Sequence, residues 1–431
     1  METPTLEKPV TSLHAHAPVV EKLKQLLEED KKMALALEAS LIVAVKKAKA
    51  QLNSDLYNAI NNEFKGNGWP TTIPAYLDYL DLYVRMVPNE SKDPEYPNAW
   101  KSNGQKNGYN QKVYDLLCQS YWLIDQKIPE TNVTMQSFEA FANWLVDFAK
   151  AWGRFLDTPA SLTKESLHSF KYDRMYNFPL YAKNEQSWKT FNQFFFREFN
   201  DADPDTGISP LRPITAPEDN TVVVSPADCT YKQFYPIDSQ GNVIGVEGSK
   251  KPLRLKGTHP IGTISDLLQG SPYVNDFNNG TFVHYFLSPF DYHRFHTPVS
   301  GEVLEIRPIQ GKVYLNVDLK SDGQWDAPDG AEDGYEFTQA RGLIVMDAGP
   351  EVGKVAILPI GMCQVSGVKM YENLLGQQVV KGQEFGKFRF GGSDIIMLFQ
   401  KDPRDIYMYK YSPSQEPIHF QYGQASVLFN K

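Results

Sequence analysis

The stretch FRFGGSDIIMLF, residues 388–399, sets two glycines and a serine between two runs that suit buried β-strands. Glycine supplies the backbone freedom a reversal needs and serine is a common turn residue, so the local pattern reads as strand, tight turn, strand. A second reading makes the bond before Ser393 the place where the chain does chemistry on itself. The surrounding sequence has to decide between them. From TVVVSPADCTYKQF (221–234) onward, short β-branched and aromatic runs alternate with Pro, Gly and Asp turns: TFVHYFLS, GEVLEIRPI, KVYLNV, GLIVMDAG and GKVAILPIG. Strands this close together predict antiparallel sheet with a barrel-like form rather than alternating βαβ units.

Upstream the texture is helical. Residues 19–52 carry apolar side chains at three- and four-residue spacing, and MQSFEAFANWLVDFAKAWGRFL (135–156) puts Phe138, Phe141, Leu145, Phe148 and Trp152 on one stripe. Loop-like segments rich in Asn, Gly and Pro lie between them, and SWKTFNQFFFREF (187–199) reads as a helical lead-in to the strands. The expected architecture is α+β. A helical N-terminal domain spans 1–165, and an antiparallel-β-rich catalytic domain spans 166–431.

The 431 residues are 42% hydrophobic and 22% charged, with net charge −9, an ordinary globular composition. That charge argues against a nucleic-acid footprint and against attraction to an anionic bilayer. The longest apolar run, MALALEASLIVAV (33–45), is interrupted by Glu38 and is shorter than the roughly 20 residues that span a bilayer, so it reads as a core helix. The N-terminus has no apolar signal region, and the three cysteines, Cys118, Cys229 and Cys363, are odd in number and widely spaced. A cytoplasmic location fits these features.

Chemistry-bearing residues gather in FLSPFDYHRFHTPVSGEV (286–303), where His293 and His296 lie three apart. A zinc site would need further ligands that the local pattern does not supply, and Pro298 disfavours a helix that would put both rings on one face. Structural hydrogen bonding and acid–base chemistry both remain open. Asp228, in SPADCTY (225–231), is by itself a turn residue; with one histidine and Ser393 it would complete a carboxylate–imidazole–hydroxyl set.

These segments, together with TFNQFFFREF, LRPI, LKGTHPIGTISDLL and KGQEFGKFRFGGSDIIMLF, resemble the phosphatidylserine decarboxylase family over about residues 185–402. The resemblance implies self-cleavage at Gly392–Ser393 into chains 1–392 and 393–431 that stay together as a heterodimer. It also implies conversion of Ser393 to a pyruvoyl group that forms a Schiff base with the substrate amine, so that pyridoxal phosphate is not required. Asp228 and His296 match the carboxylate and histidine that work with the serine, and His293 matches a second histidine of cleavage or decarboxylation. FGGS resembles the branch with fungal L-tryptophan decarboxylases, which favours a free amino acid, aromatic ones leading, over phosphatidylserine. Two further readings stay open. TPVSGEVLEI and VVKGQEFGKF resemble halves of a biotinyl or lipoyl carrier with Lys369 as the modified residue, and a member that no longer processes would serve only as a binding protein.

Overall fold

The computed structural model describes residues 15–100, 111–129, 133–244, 254–255, 259–260, 262–313, 315–327, 337–362 and 367–430. Cys363 and the chain's first residues lie outside them. Six helices come first: α1 (Pro18–Glu29), α2 (Lys31–Gln51), α3 (Ser54–Glu63), α4 (Ile73–Tyr83), α5 (Lys112–Trp122) and α6 (Glu139–Leu156). The continuous apolar pattern of 19–52 is broken at Asp30. That residue is extended, and its side chain accepts from the Met33 N–H to cap α2. The run 33–45 lies within α2 and buries Met33, Ala36, Leu37, Leu41 and Ala44, as a core helix should. On α6, Phe141, Leu145, Phe148, Trp152 and Leu156 form the buried stripe, whereas Phe138 precedes the helix as its N-cap. Among the described residues no helix is long and apolar enough to cross a membrane.

Buried tryptophans tie these helices to neighbouring backbone. Trp144 donates its indole N–H to the Val19 carbonyl (2.7 Å), Trp122 to Ala44 (2.9 Å) and Trp152 to Met86 (3.1 Å). Helical structure continues through α7 (Lys164–Tyr172), which starts with a reciprocal Thr163–Ser166 capping box, to the short α8 (Phe191–Phe195).

The sheet elements follow: β1 (Cys229–Pro236), β2 (Thr281–Leu287), β3 (Arg294–His296), β4 (Gly301–Ile309), β5 (Arg341–Asp347), β6 (Lys354–Met362), β7 (Val368–Met370), β8 (Gln378–Val379), β9 (Glu384–Phe388), β10 (Gly392–Phe399) and β11 (His419–Phe420). Eight of them form one antiparallel sheet in the order β8-β4-β5-β6-β10-β2-β1-β11. The edge strands β8 and β11 do not pair with each other among the described residues, so the barrel-like form expected from the strand spacing is an open sheet. KVYLNV (312–317) is the other departure: its described residues contribute only an isolated bridge, Lys312 to Gln339, and no strand. β5 and β10 are buried on both faces because one face packs on the helices and the other on a second core built around the helix Ile264–Leu268. Apolar residues therefore run continuously along them instead of alternating with polar ones.

A three-stranded sheet, β7-β9-β3, carries the histidine segment against the strand that leads into the Gly-Gly-Ser turn. The helical layer grips that turn directly. Asn192 at α8 accepts from the Phe390 N–H (3.1 Å) and donates to Asp157 (2.9 Å), and Arg389 pairs with Asp157 (3.0 Å). The Phe390 ring stands edge-on to Trp152 at 5.2 Å.

Elsewhere in the helical layer Glu90 is buried, accepting from the Lys112 N–H (2.8 Å) and the Tyr176 hydroxyl (3.0 Å). Burial pushes its carboxyl up to about 8, with the nearby Asp173 carboxylate adding to the effect.

Trp152→Ala removes a fully buried indole and should cost about 3–5 kcal/mol in denaturant unfolding, as large-to-small core changes do. Glu90 has a folded pKa above its ordinary value of 4.5, so its contribution to stability is complete below about 4.5 and is lost as pH rises through about 8. Urea midpoints measured from pH 4.5 to 8.5 should therefore fall less steeply for Glu90→Gln than for the parent.

Candidate active site

His293 and His296 sit at the start and end of an extended segment, and odd spacing along such a segment sends side chains to opposite faces. Their surroundings bear this out. The His293 ring stacks on Phe195 at 3.8 Å, whereas the His296 ring stacks nearly parallel on Tyr422 at 3.9 Å. The two imidazoles are thereby kept from sharing a metal ion. Among the described residues no group of three or more His, Cys, Asp or Glu is placed to hold one.

His296 is fully buried, and its tautomer follows from its partners. Nδ1 lies 2.7 Å from the Gly382 carbonyl, which can only accept, so Nδ1 carries the proton. Nε2 is then the basic nitrogen and receives the Tyr292 hydroxyl at 3.0 Å. Burial lowers the imidazole pKa to about 3. His293 is also held well below the ordinary histidine value, by burial and then by the Arg197 charge. The Asp291 backbone pulls the other way, without the geometry of a hydrogen bond to either ring nitrogen. Both rings are therefore neutral at physiological pH, the form that accepts a proton.

Asp228 does not bond to either histidine. Its carboxylate is paired with the Arg212 guanidinium at 2.9 Å and accepts from the Tyr422 N–H at 2.9 Å. The connection to His296 runs through Tyr422, whose backbone binds Asp228 while its ring lies on the imidazole. The negative charge also favours protonation of His296 through space. The arrangement is thus a carboxylate beside an imidazole rather than one hydrogen-bonded to it, because Arg212 and the Tyr422 N–H already occupy the carboxylate.

Ser393 is fully buried near the start of β10, paired with Gly361 of β6 and Leu287 of β2, and its Oγ has no hydrogen-bond partner. The histidine segment reaches it through β9. His296 lies opposite Glu384, and the His293 carbonyl accepts from the Phe388 N–H at 2.9 Å, five residues before the serine. Gly391, in the turn, has φ 152°, a conformation side-chain-bearing residues rarely adopt. The residues expected together are thus drawn into one region, yet no hydrogen bond joins Ser393 to Asp228, His293 or His296.

Supporting residues outside the expected set complete the site. Arg197 donates to the carbonyls of Phe290 (2.6 Å) and Asp291 (3.2 Å), just ahead of His293. Arg294, between the histidines, pairs with Glu384 (2.7 Å) and with Glu198. Arg197 and Arg212 lie in FFFREF and LRPI, and an arginine among aromatics or prolines is the kind of signal that announces a buried ion pair. Tyr422 offered no such signal. Lys369 lies in β7, paired with Lys387 of β9, rather than at the hairpin tip a carrier lysine requires.

A cavity of about 610 Å³ lies between the helical layer and the sheet, next to this region. Phe286 in its wall precedes Leu287, the register partner of Ser393, so by strand alternation its side chain lies on the sheet face opposite that of Ser393.

Because the His296 pKa is depressed, its contribution to stability is present above about 6.5 and is lost as pH falls toward about 3. His293 acts with the same sign. Acid unfolding monitored by tryptophan fluorescence should set in at lower pH for His296→Gln than for the parent, provided both fold at pH 7.5.

Comparison with known proteins places these features in a family. The phosphatidylserine decarboxylase family matches residues 191–426, more than half the chain. Phosphatidylserine decarboxylase proenzyme 2 of Oryza sativa subsp. japonica is 30% identical over 217 residues, covering 50% of this chain and 30% of its own length. Phosphatidylserine decarboxylase proenzyme of Fusobacterium nucleatum is 30% identical over 261 residues, 59% of this chain and 74% of the relative. L-tryptophan decarboxylase of Psilocybe cubensis is 26% identical over 246 residues, 55% of this chain and 51% of the relative. The chain thus spans about a third of the rice protein and half of the Psilocybe one. Asp228, both histidines and the Gly-Gly-Ser turn all fall inside the matched residues, and the chain belongs to the phosphatidylserine decarboxylase family.

Proposed function

We propose that the protein is a self-processing, pyruvoyl-dependent decarboxylase that acts on a free amino acid in the cytoplasm. The observation that carries this reading is the buried, unpartnered Ser393 Oγ directly after a Gly-Gly turn, inside the family match. A buried hydroxyl without a partner is costly unless it has a use. The turn is held from both sides, by Asn192 and Trp152 before the scission bond and by the pairing of β10 after it. In maturation, Ser393 Oγ adds to the Gly392 carbonyl and the peptide becomes an ester. Loss of the Ser393 Cα proton then expels residues 1–392 as a carboxylate, and hydrolysis of the remaining dehydroalanine releases ammonia. Neutral His296, with its Nε2 unprotonated and the Asp228 charge nearby, is suited to take the serine proton.

The pyruvoyl group at residue 393 supplies a ketone that captures the substrate α-amine and draws electrons from the bond to the departing carboxylate. The protein's own part is to exclude water and to hold neutral imidazoles as proton carriers. Chain 393–431 contributes β10, which lies between β6 and β2, and Tyr422, which binds Asp228. Scission therefore leaves a heterodimer locked through the middle of a sheet.

Several observations support a free amino acid. The cavity has the size of a small-molecule site. One matching relative is an L-tryptophan decarboxylase. Cys118 and Cys229 are buried thiols, in keeping with a reducing compartment. Phosphatidylserine is the second reading, favoured by the names of the rice and Fusobacterium relatives.

Ser393→Ala should abolish both scission and CO2 release. His296→Ala and Asp228→Asn should slow scission at least about a hundredfold, the lower end of what a general base contributes. Normal scission in these two would show that the base is elsewhere. The parent's two chains should co-elute in native size-exclusion chromatography and separate only in denaturant. CO2 release from a panel of free amino acids and from phosphatidylserine vesicles tests the substrate class. Turnover of phosphatidylserine alone would reverse the preference.

A further inference from the structure

The segment from His419 to Tyr422, near the C-terminal end of the chain, touches three parts of the candidate site. The Tyr422 N–H binds Asp228, and the Tyr422 ring lies on His296. Phe420 pairs with Cys229, the residue after Asp228, and its ring meets Tyr285 edge-on. His419 pairs with Thr230 at the edge of the sheet and directs its side chain to Asp291, with Nε2 2.9 Å from Oδ1. Asp291 stands two residues before His293.

Asp291 closes the turn that delivers the histidine segment. Its Oδ2 accepts from the Ser288 N–H (2.8 Å), and its own N–H donates to the Ser288 carbonyl (2.9 Å). Arg197 holds its carbonyl together with that of Phe290. The Asp291 side chain is 5% exposed, so loss of His419 strips a buried carboxylate oxygen of its donor. The His419 side chain is 45% exposed and can exchange its proton with solvent.

The charges here form two pairs, Arg212 with Asp228 and His419 with Asp291. Burial opposes protonation of the His419 ring. The hydrogen bond and charge of Asp291 outweigh it, with Asp228 adding to them and Arg212 opposing, and the pKa is raised above the ordinary 6.5. Burial pushes the neighbouring Cys229 thiol up, so it carries no charge near neutral pH.

We propose that His419 is a positioning residue for chain scission: its imidazolium holds Asp291, and through it the turn that presents His293 and His296, and deprotonation of His419 releases that hold. The inference rests on the self-processing reading and adds the group that makes scission depend on pH. His293 and His296 are themselves neutral across the neutral range and supply no such dependence. Because the folded pKa of His419 is raised, the contribution of the pair is complete below about 6.5 and is lost as pH rises through the raised value.

The test follows scission in full-length precursor made by cell-free translation and chased at different pH, with the fragment 393–431 measured by denaturing mass spectrometry. His419→Arg keeps a cation at every pH, and the half-exposed position has room for it. The ratio of the parent rate to the His419→Arg rate cancels every other titrating group, and it should fall about threefold or more from about pH 6.5 to about pH 8.5. His419→Gln, which has no charge to lose, should be slower than His419→Arg by about threefold or more at both ends of this range. In an Asp291→Asn background the His419 substitutions should differ by less than about twofold, because the coupling is gone. Tryptophan fluorescence of the matching Ser393→Ala precursors checks folding, and His419→Lys carries the comparison should His419→Arg not fold. A parent-to-Arg ratio that does not change with pH, or a His419→Gln rate equal to that of His419→Arg, would overturn the inference alone. Absence of scission in the parent at every pH would overturn the self-processing reading together with it.

Discussion

The hydrogen bond from the Phe390 N–H to the Asn192 side chain, with Phe390 packed against Trp152, Phe191 and Phe195, is the constraint on which the site depends. A Gly-Gly-Ser turn has more backbone freedom than almost any other sequence, and freedom alone does not produce a reactive geometry. Here the residue before the glycines is fixed by the helical layer, and the residues after them are fixed by seven cross-strand pairs between β10 and β2. The glycines are left to absorb the mismatch, and Gly391 does so at φ 152°. The N-terminal helices are therefore part of the machinery that positions the turn, as well as one wall of the cavity.

A second constraint is the burial of ionisable groups without the partners that usually accompany it. His293 has no hydrogen bond on either ring nitrogen, Ser393 has none on Oγ, and Asp115 has none on Oδ2. A core built only for stability would replace or satisfy these groups. The two arginines beside the site act in different ways. Arg212 saturates Asp228 and fixes the carboxylate, while Arg197 holds the backbone ahead of His293 and depresses that histidine's proton affinity. Both imidazoles are consequently neutral near pH 7, with a free nitrogen lone pair and lowered basicity.

Much of this was legible in the chain. Residues 135–156 announced an amphipathic helix by their periodicity, because that helix buries one face, while residues 301–309 announced a strand as a β-branched run bounded by turns. The motifs around Asp228, His293, His296 and Ser393 led to the family. Closure of the sheet was misread because strand spacing reports antiparallel neighbours and says nothing about whether the edges meet. The triad geometry was also not readable. Which group satisfies Asp228 depends on Arg212 and Tyr422, 16 residues before it and 194 after it, brought together only by the fold.

Intact mass spectrometry of the purified protein under denaturing conditions tests the central claim, that the turn is a scission point, most directly. The account predicts two species, residues 1–392 and a fragment of residues 393–431 whose N-terminus is a pyruvoyl group and resists Edman degradation. A single intact chain of 431 residues, after incubation under conditions that support folding, would contradict it.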